Sequence, residues 1–113
     1  MYTILHYLDA RGKDHFQDWL DALRDRQAKI AIIRRVARLA FELAGDRQSV
    51  RGGIQELRIN IGPGYRVYFA FVGKAVILLT CGGTKGTQER DIKSALEMLR
   101  DWKDRNGKSS SIS

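Results

Sequence analysis

Three basic residues in the second half of the chain have types and positions that suit phosphate binding. Arg58 and Arg66 fall in two successive predicted strands, each on the face opposite the apolar side chains of its strand. Lys85 comes after the next predicted strand along the chain. A guanidinium group offers its N–H donors in a planar fork that matches the geometry of a phosphate. Strand-borne arginines that face water also serve simply to keep a sheet face soluble, so both interpretations stand at this point.

Asp91 is the carboxylate nearest to these residues that could act as a base, with Glu89 as a weaker candidate. Both lie in the segment TQERDI, which contains neither tyrosine nor histidine. An aspartate with an ordinary pKa near 4 is a weak base for a hydroxyl group. In the first turn of a helix the same carboxylate would instead stabilise the helix dipole. The sequence leaves both roles open.

Other residues are candidates for contact with nucleic acid rather than for catalysis. Tyr68 shares the predicted strand face of Arg66, where it could stack on a base, donate a hydrogen bond or serve as an ordinary strand tyrosine. Further basic candidates are Arg34, Arg35, Arg38 and Lys74. The three arginines lie on the predicted polar side of a helix, which suits tracking an RNA backbone or simple solvation.

The chain offers little for metal or cofactor chemistry. His6 and His15 lie far in sequence from the basic candidates and have no second ligand nearby. No glycine pattern matches a phosphate-binding loop of the P-loop type. Cys81, the single cysteine, falls within an apolar run and is expected to be buried and unreactive. We therefore expect no metal site and no cofactor.

The positive charge is concentrated in the middle of the chain. The net charge is +7, and residues 26–85 contain 11 of the 20 lysines and arginines but only 3 of the 13 acidic residues. A concentrated positive field favours nucleic acid or an acidic protein partner, although a solvated basic face would give the same pattern.

The length and the apolar pattern predict one cytoplasmic domain. A chain of 113 residues fits a single domain, which we place at 1–105 with a disordered tail at 106–113. No apolar run approaches the roughly 20 residues that a membrane span requires. The first residues lack the pattern of a secretory signal, so we expect no membrane partner.

The elements that must position the candidates follow from hydrophobic periodicity. Residues 2–8 resemble a strand, and amphipathic helices are predicted at 13–25 and 27–44, the second ending at Gly45. Alternating residues predict strands at 54–61 and 65–72, and a strand covered on both faces at 75–81, interrupted by Gly82 and Gly83. A last helix is predicted at 88–105, with Thr87 as its N-cap.

The expected architecture is an α+β fold with the order β-α-α-β-β-β-α. The two central helices would form a hairpin that, together with the last helix, packs its apolar faces on a twisted, mostly antiparallel sheet.

Two segments carry a resemblance to a known family. The segments are ELRINIGPGYRVYF at 56–69 and ILLTCGGTKGTQERDIKSA at 77–95. They resemble the RelE/ParE superfamily of bacterial toxins, and within it the HigB-like, phage-derived group of addiction-module killer proteins. The resemblance covers nearly the whole chain in element order and implies a RelE-like fold, a toxin function and a cognate antitoxin.

The resemblance also implies roles for the basic residues. In the branch that cleaves mRNA in the ribosomal A site, basic residues at these positions line the cleft. Arg58 and Arg66 would then clamp the scissile phosphate, Lys85 would stabilise charge or protonate the leaving oxygen, and Asp91 would be the local base. The reaction would be a metal-independent attack of a ribose 2′-OH on the adjacent phosphate.

The resemblance leaves the target open between two branches. RelE-like and HigB-like members act on ribosome-bound mRNA, with a helix-turn-helix, HigA-like antitoxin as partner. ParE-like members inhibit DNA gyrase and need no catalytic base. Some RNA-cleaving members carry a tyrosine or a histidine near the last helix, and the absence of both from TQERDI would fit the gyrase branch. A third alternative is a homologue that binds its antitoxin without toxicity. We expect an mRNA interferase, because Arg66 and Lys85 match the positions of the RNA-cleaving branch.

Overall fold

The chain folds into a sheet with helices on both faces. The computed structural model describes residues 1–41 and 47–112, with side chains described as far as residue 107. The helices are α1 (His15–Ala22), α2 (Arg26–Leu39) and α3 (Gln88–Ile112). The strands are β1 (Thr3–His6), β2 (Arg47–Arg51), β3 (Ile54–Ile59), β4 (Tyr65–Gly73) and β5 (Val76–Thr84). The predicted α+β class is confirmed.

The described strands form one five-stranded sheet in the order β1-β5-β4-β3-β2. β1 pairs with β5 in parallel, and the other pairs are antiparallel, so the expected mostly antiparallel sheet is confirmed. The predicted element order is wrong in one respect. An additional edge strand, β2, precedes β3, so four strands rather than three follow the two helices within the described residues.

Both short helices begin at aspartate caps and end earlier than predicted. The side chain of Asp14 accepts a hydrogen bond from the backbone of Gln17, and Asp25 accepts one from Ala28. Such caps satisfy N–H groups that have no partner within the helix. α2 ends at Leu39 rather than near residue 44, and the predicted stop at Gly45 lies outside the described residues.

The sheet has an apolar core on each face. On one face, side chains of α1 and α2 such as Phe16 and Ile32 pack against Leu57, Val67 and Leu79. On the other face, apolar residues of α3 pack against the alternate side chains of the same strands. Members of this second core include Ile92, Ala95, Leu99, Ile54, Ala70 and Leu78. β5 is covered on both faces, as its apolar sequence predicted.

Gly82 and Gly83 do not interrupt β5, which continues through them to Thr84. They lie in the strand because a helix approaches closely on each face. A side-chain carbon at Gly82 would overlap the ring of Trp19 from α1, and one at Gly83 would overlap the carboxylate of Asp91 from α3. The absence of side chains therefore brings both helical layers close to the sheet at one point.

α3 begins directly after Thr87, as predicted, but extends past the predicted end near Arg105 to Ile112. The expectation of a disordered tail at 106–113 stays a prediction. Within the described part of the chain, no helix has the length and apolar character that a membrane span requires.

Candidate phosphate-binding site

The two strand arginines lie side by side at the end of the sheet where β3 turns into β4. Arg58 is the direct register partner of Arg66, and Gly83 of β5 is the partner of Arg66 on the other side. Directly paired residues have Cβ atoms roughly 5 Å apart and project from the same face. Two like charges at this separation repel unless a negative group lies beside them.

Glu56 supplies that negative group. Its side chain has no exposed surface, and its Oε1 lies 3.0 Å from Nε of Arg58 and 3.7 Å from Nε of Arg66. Its Oε2 accepts a hydrogen bond of 2.6 Å from the side-chain amide of Gln88, at the start of α3. Glu56, Arg58, Arg66 and Gln88 are called the Glu56 centre below.

The two arginines of the Glu56 centre differ in exposure. The side chain of Arg66 is 8% exposed, whereas that of Arg58 is 34% exposed. Nη1 of Arg66 also donates a hydrogen bond of 3.2 Å to the carbonyl oxygen of Tyr65. Buried ions cost several kcal/mol each unless they are well paired, so Arg66 and Glu56 depend on each other. Arg58 keeps the surface through which a ligand could be bound.

Sequence analysis missed Glu56 as a site residue. The signal was present, because Glu56 precedes Arg58 by two positions and residues i and i+2 of a strand share a face. An isolated glutamate on a strand face does not by itself indicate whether it is buried. The contact with Gln88, 32 positions later in the chain, has no local sequence pattern that would predict it.

Lys85 lies beside the Glu56 centre. Its backbone N–H donates a hydrogen bond of 2.8 Å to the carbonyl oxygen of Gly64, in the turn between β3 and β4. A side-chain carbon built at Gly64 would lie 3.5 Å from Nη1 of Arg66 and 3.6 Å from Cβ of Lys85. The exposed Lys85 and the buried Arg66 therefore flank the same point of the turn.

Asp91 covers Gly83, the register partner of Arg66, and so lies on the same face as the arginines. Its side chain is 10% exposed, with Oδ1 3.6 Å from Nε of Arg90. Oδ2 accepts a short hydrogen bond from the hydroxyl of Thr87. This position in the first turn of α3 also suits stabilisation of the helix dipole. The structure thus brings Arg58, Arg66, Lys85 and Asp91 to one end of the sheet.

Glu89, the weaker base candidate, is engaged elsewhere. It is exposed and forms an ion pair with Arg51, whose Nη2 lies 2.6 Å from its Oε1. The hydrogen bond from Arg51 holds the pKa of Glu89 below its usual value. A lowered pKa makes a carboxylate a weaker base, so Glu89 is unsuited to that role.

Tyr68 and Cys81 lie inside the core between the sheet and α3. Tyr68 has no exposed surface with which to stack on a base. Burial, together with the nearby Glu56 and Asp91, raises the pKa of Tyr68 well above its usual value. Burial raises the pKa of the Cys81 thiol to about 12. The expectation of a buried cysteine is confirmed.

The predicted RNA-binding arginines of α2 line a groove on the opposite face of the sheet. The groove has a volume of about 360 Å³ and is called the α2 groove below. It is lined by Ala31, Arg34, Arg35, Arg38, Ile59, Asn60 and Ile61. Lys74, by contrast, follows the far end of β4. It therefore does not join the Glu56 centre or the α2 groove.

The two histidines pair with aspartates near the start of the chain. Nδ1 of His6 lies 2.7 Å from Oδ2 of Asp14, and Nε2 of His15 lies 2.9 Å from Oδ2 of Asp9. Among the residues that the structure describes, no three histidine, cysteine or acidic side chains are placed to hold a metal ion together.

The arrangement at the Glu56 centre is suited to holding an anion and stabilising added negative charge. Arg58 presents a partly exposed guanidinium group, Lys85 an exposed ammonium group, and Arg66 a fixed positive charge behind them. Cations that are already oriented need little reorganisation when charge develops in a transition state. Phosphate esters and carboxylates are the common biological anions whose shapes fit a guanidinium fork.

Comparison with known proteins identifies a relative but no described activity. No model of a known protein family matches the chain. An uncharacterized protein of Haemophilus influenzae is 48% identical over 80 residues, which cover 71% of this chain and 81% of the relative. The chain therefore belongs to the same family as this Haemophilus influenzae protein.

Proposed function

We propose that the protein is the toxin of a type II toxin–antitoxin module and that it inhibits translation by cleaving mRNA on the ribosome. The observation that supports this most directly is the Glu56 centre, where a buried carboxylate holds two adjacent arginines beside an exposed lysine. The excess of basic residues between 26 and 85 would attract RNA to the protein.

In the proposed reaction a ribose 2′-OH attacks the adjacent phosphorus atom and the bond to the 5′-oxygen breaks. The products are a 2′,3′-cyclic phosphate and a 5′-hydroxyl end. Arg58, the more exposed of the two arginines, binds a non-bridging oxygen of the phosphate. Arg66 and Lys85 stabilise the extra negative charge of the phosphorane, and Lys85 supplies the proton to the leaving 5′-oxygen. Charge stabilisation of this kind contributes orders of magnitude in rate.

We propose Asp91 as the group that accepts the proton of the 2′-OH. It lies above Gly83, the strand partner of Arg66, and retains some exposed surface. Glu56 is enclosed and lacks such surface, so its proposed role is to hold Arg58 and Arg66 in position. A positioned base typically contributes about 10²–10⁴-fold to the rate.

The proposed partner that neutralises the toxin is a helix-turn-helix antitoxin of the HigA type. A toxin with a net charge of +7 favours association with an acidic surface, since complementary charge accelerates encounter and sets orientation.

The proposal is tested by primer extension on a reporter mRNA in a reconstituted translation system. We expect cuts inside ribosome-occupied codons that are absent without ribosomes and strongly reduced in Arg58→Ala. Arg58 suits this test because it is the less buried partner of Glu56, so the variant is expected to fold. Arg100→Ala, which removes an exposed charge from α3, is the matched control and should cut normally.

Intact mRNA in cells whose growth the protein has stopped would contradict the proposal. A supercoiling assay on DNA gyrase would then decide whether the protein belongs functionally with the gyrase inhibitors. Absence of toxicity together with tight antitoxin binding would instead indicate a non-toxic homologue.

A further inference from the structure

The α2 groove is a second cationic site that lies outside the Glu56 centre. Ala31, Arg34, Arg35 and Arg38 occupy positions i, i+3, i+4 and i+7 of α2, and therefore form one stripe of the helix. The other wall is the end of β3 and the residues after it, 59–61. Arg34 and Arg38 are exposed along the rim. The volume of about 360 Å³ lies within the range of pockets that hold small ligands.

The lining combines an apolar floor with cationic groups. Ala31, Ile59 and Ile61 provide the apolar surface, while Arg34, Arg35 and Arg38 provide the cationic groups. Guanidinium groups both bind phosphates and stack on aromatic rings. One nucleotide of a single strand, with its base inside and its phosphate at the rim, fits this lining.

The α2 groove and the Glu56 centre lie on opposite faces of the sheet at the end of β3. Arg58 faces α3, and the next residue, Ile59, forms part of the groove on the opposite face, because successive strand side chains alternate. The turn at residues 60–64 joins the two sites. A strand of RNA that leaves one site can pass around this turn and reach the other without crossing either helix layer.

We propose that the α2 groove binds one nucleotide of the RNA strand whose neighbouring segment occupies the Glu56 centre. The inference rests on the proposed function, because that function is what identifies the ligand as RNA. It adds a subsite on the opposite face of the sheet, with Arg34 and Arg38 contacting the phosphates and the isoleucine floor contacting the base.

The test measures binding of 2′-O-methyl RNA, which lacks the attacking hydroxyl and is not cleaved. Fluorescence anisotropy is recorded over a range of salt concentrations with oligonucleotides of about four and about twelve nucleotides. The groove variant is Arg34→Gln with Arg38→Gln. The control variant, Arg24→Gln with Arg26→Gln, removes the same charge from one exposed residue just before α2 and one at its start. Arg58→Ala reports on the Glu56 centre.

We expect the groove variant to bind the longer oligonucleotide at least tenfold more weakly than the control variant does. Its slope of log affinity against log salt should fall by about 1.4, since each lost single-strand phosphate contact contributes about 0.7. The shorter oligonucleotide, which cannot span both sites, should be affected much less. Equal binding of the longer oligonucleotide by the groove and control variants would overturn the inference.

The same measurements separate this inference from the proposed function. If only Arg58→Ala weakens binding, the groove inference fails and the proposed function stands. If only the groove variant weakens binding, the groove binds RNA and the Glu56 centre does not. If the groove variant loses affinity for an acidic antitoxin but keeps its affinity for RNA, the groove is a protein-binding site and the inference is wrong.

Discussion

Glu56 shows how a buried carboxylate and its cations depend on one another. Its oxygens contact four side chains that carry N–H donors: Gln48, Arg58, Arg66 and Gln88. Removing the carboxylate would leave Arg66, which is almost fully buried, close to Arg58 without the intervening negative charge.

We therefore expect Glu56→Ala to lower the free energy of unfolding by about 3–5 kcal/mol, as for other broken buried ion pairs. Glu56→Gln keeps the shape and an acceptor oxygen, and should lose less. Urea denaturation of both variants measures the difference. A loss below about 1 kcal/mol in Glu56→Ala would mean that the arginines relax into solvent and do not need the carboxylate.

Asp91→Asn tests the proposed base. The amide keeps the size of the side chain but cannot accept a proton, so we expect cleavage to fall by about 10²–10⁴-fold. A loss below about tenfold, with a lower melting temperature, would assign Asp91 to stabilisation of α3 alone.

Asp9 provides a pH-dependent contribution to stability away from the site. Its pKa is lowered to about 2, first by a hydrogen bond from the backbone of Lys13 and then by one from His15. A lowered folded-state pKa means that the carboxylate stabilises the fold above its unfolded-state value near 3.8 and stops doing so below about 2. Asp9→Asn should therefore be less stable than wild type at pH 7, and the difference should shrink between pH 4 and pH 2. A constant difference across that interval, measured by denaturation, would refute this account.

At the scale of elements, Gly82 and Gly83 determine how close α1 and α3 come to β5. We expect Gly82→Ala to destabilise the protein by about 1–3 kcal/mol, because the added methyl group would overlap the rigid ring of Trp19. Gly107→Ala is the matched control, since a side-chain carbon there meets nothing within 4 Å and alanine favours a helix. It should be neutral or slightly stabilising. Equal thermal stability of the two variants would show that Trp19 moves aside easily.

The periodic parts of the fold could be predicted from the sequence. Alternation of apolar residues predicted β3 and β4, and the continuous apolar run predicted that β5 is covered on both faces. The three helices were predicted from their apolar stripes. These patterns are local and arise directly from burial, so they do not depend on knowing the partner element.

The remaining features depend on contacts that are distant in sequence. β2 has the sequence RQSVR with largely exposed residues, and an edge strand of this kind lacks the apolar alternation that identifies a strand. The glycines of β5 were predicted to end it, since glycine usually weakens a strand, whereas here they accommodate neighbouring helices. Tyr68 was expected near RNA because it shares the face of Arg66. Its burial under α3 follows from tertiary packing alone.

At the scale of the whole molecule, two groups of basic residues lie at the same end of the sheet. The Glu56 centre lies on one face and the α2 groove on the other, with the turn between β3 and β4 joining them. The acidic residues of the chain lie mostly outside residues 26–85. The basic groups of these two sites give this end of the sheet a local positive field, which steers a polyanion to a particular surface.

The position of two cationic sites on opposite faces of one strand end also has a mechanical consequence. A ligand that occupies both must reverse direction within the thickness of a single β-sheet. A DNA double helix has a persistence length of about 150 base pairs. A base-paired helix of this order of stiffness cannot follow so tight a curve, whereas a single strand can. We expect a hairpin RNA of matched length to compete poorly with an unstructured strand in the anisotropy assay, and equal competition would count against simultaneous occupancy. Stiffness of the nucleic acid, rather than recognition of its bases, would then restrict the protein to unpaired RNA.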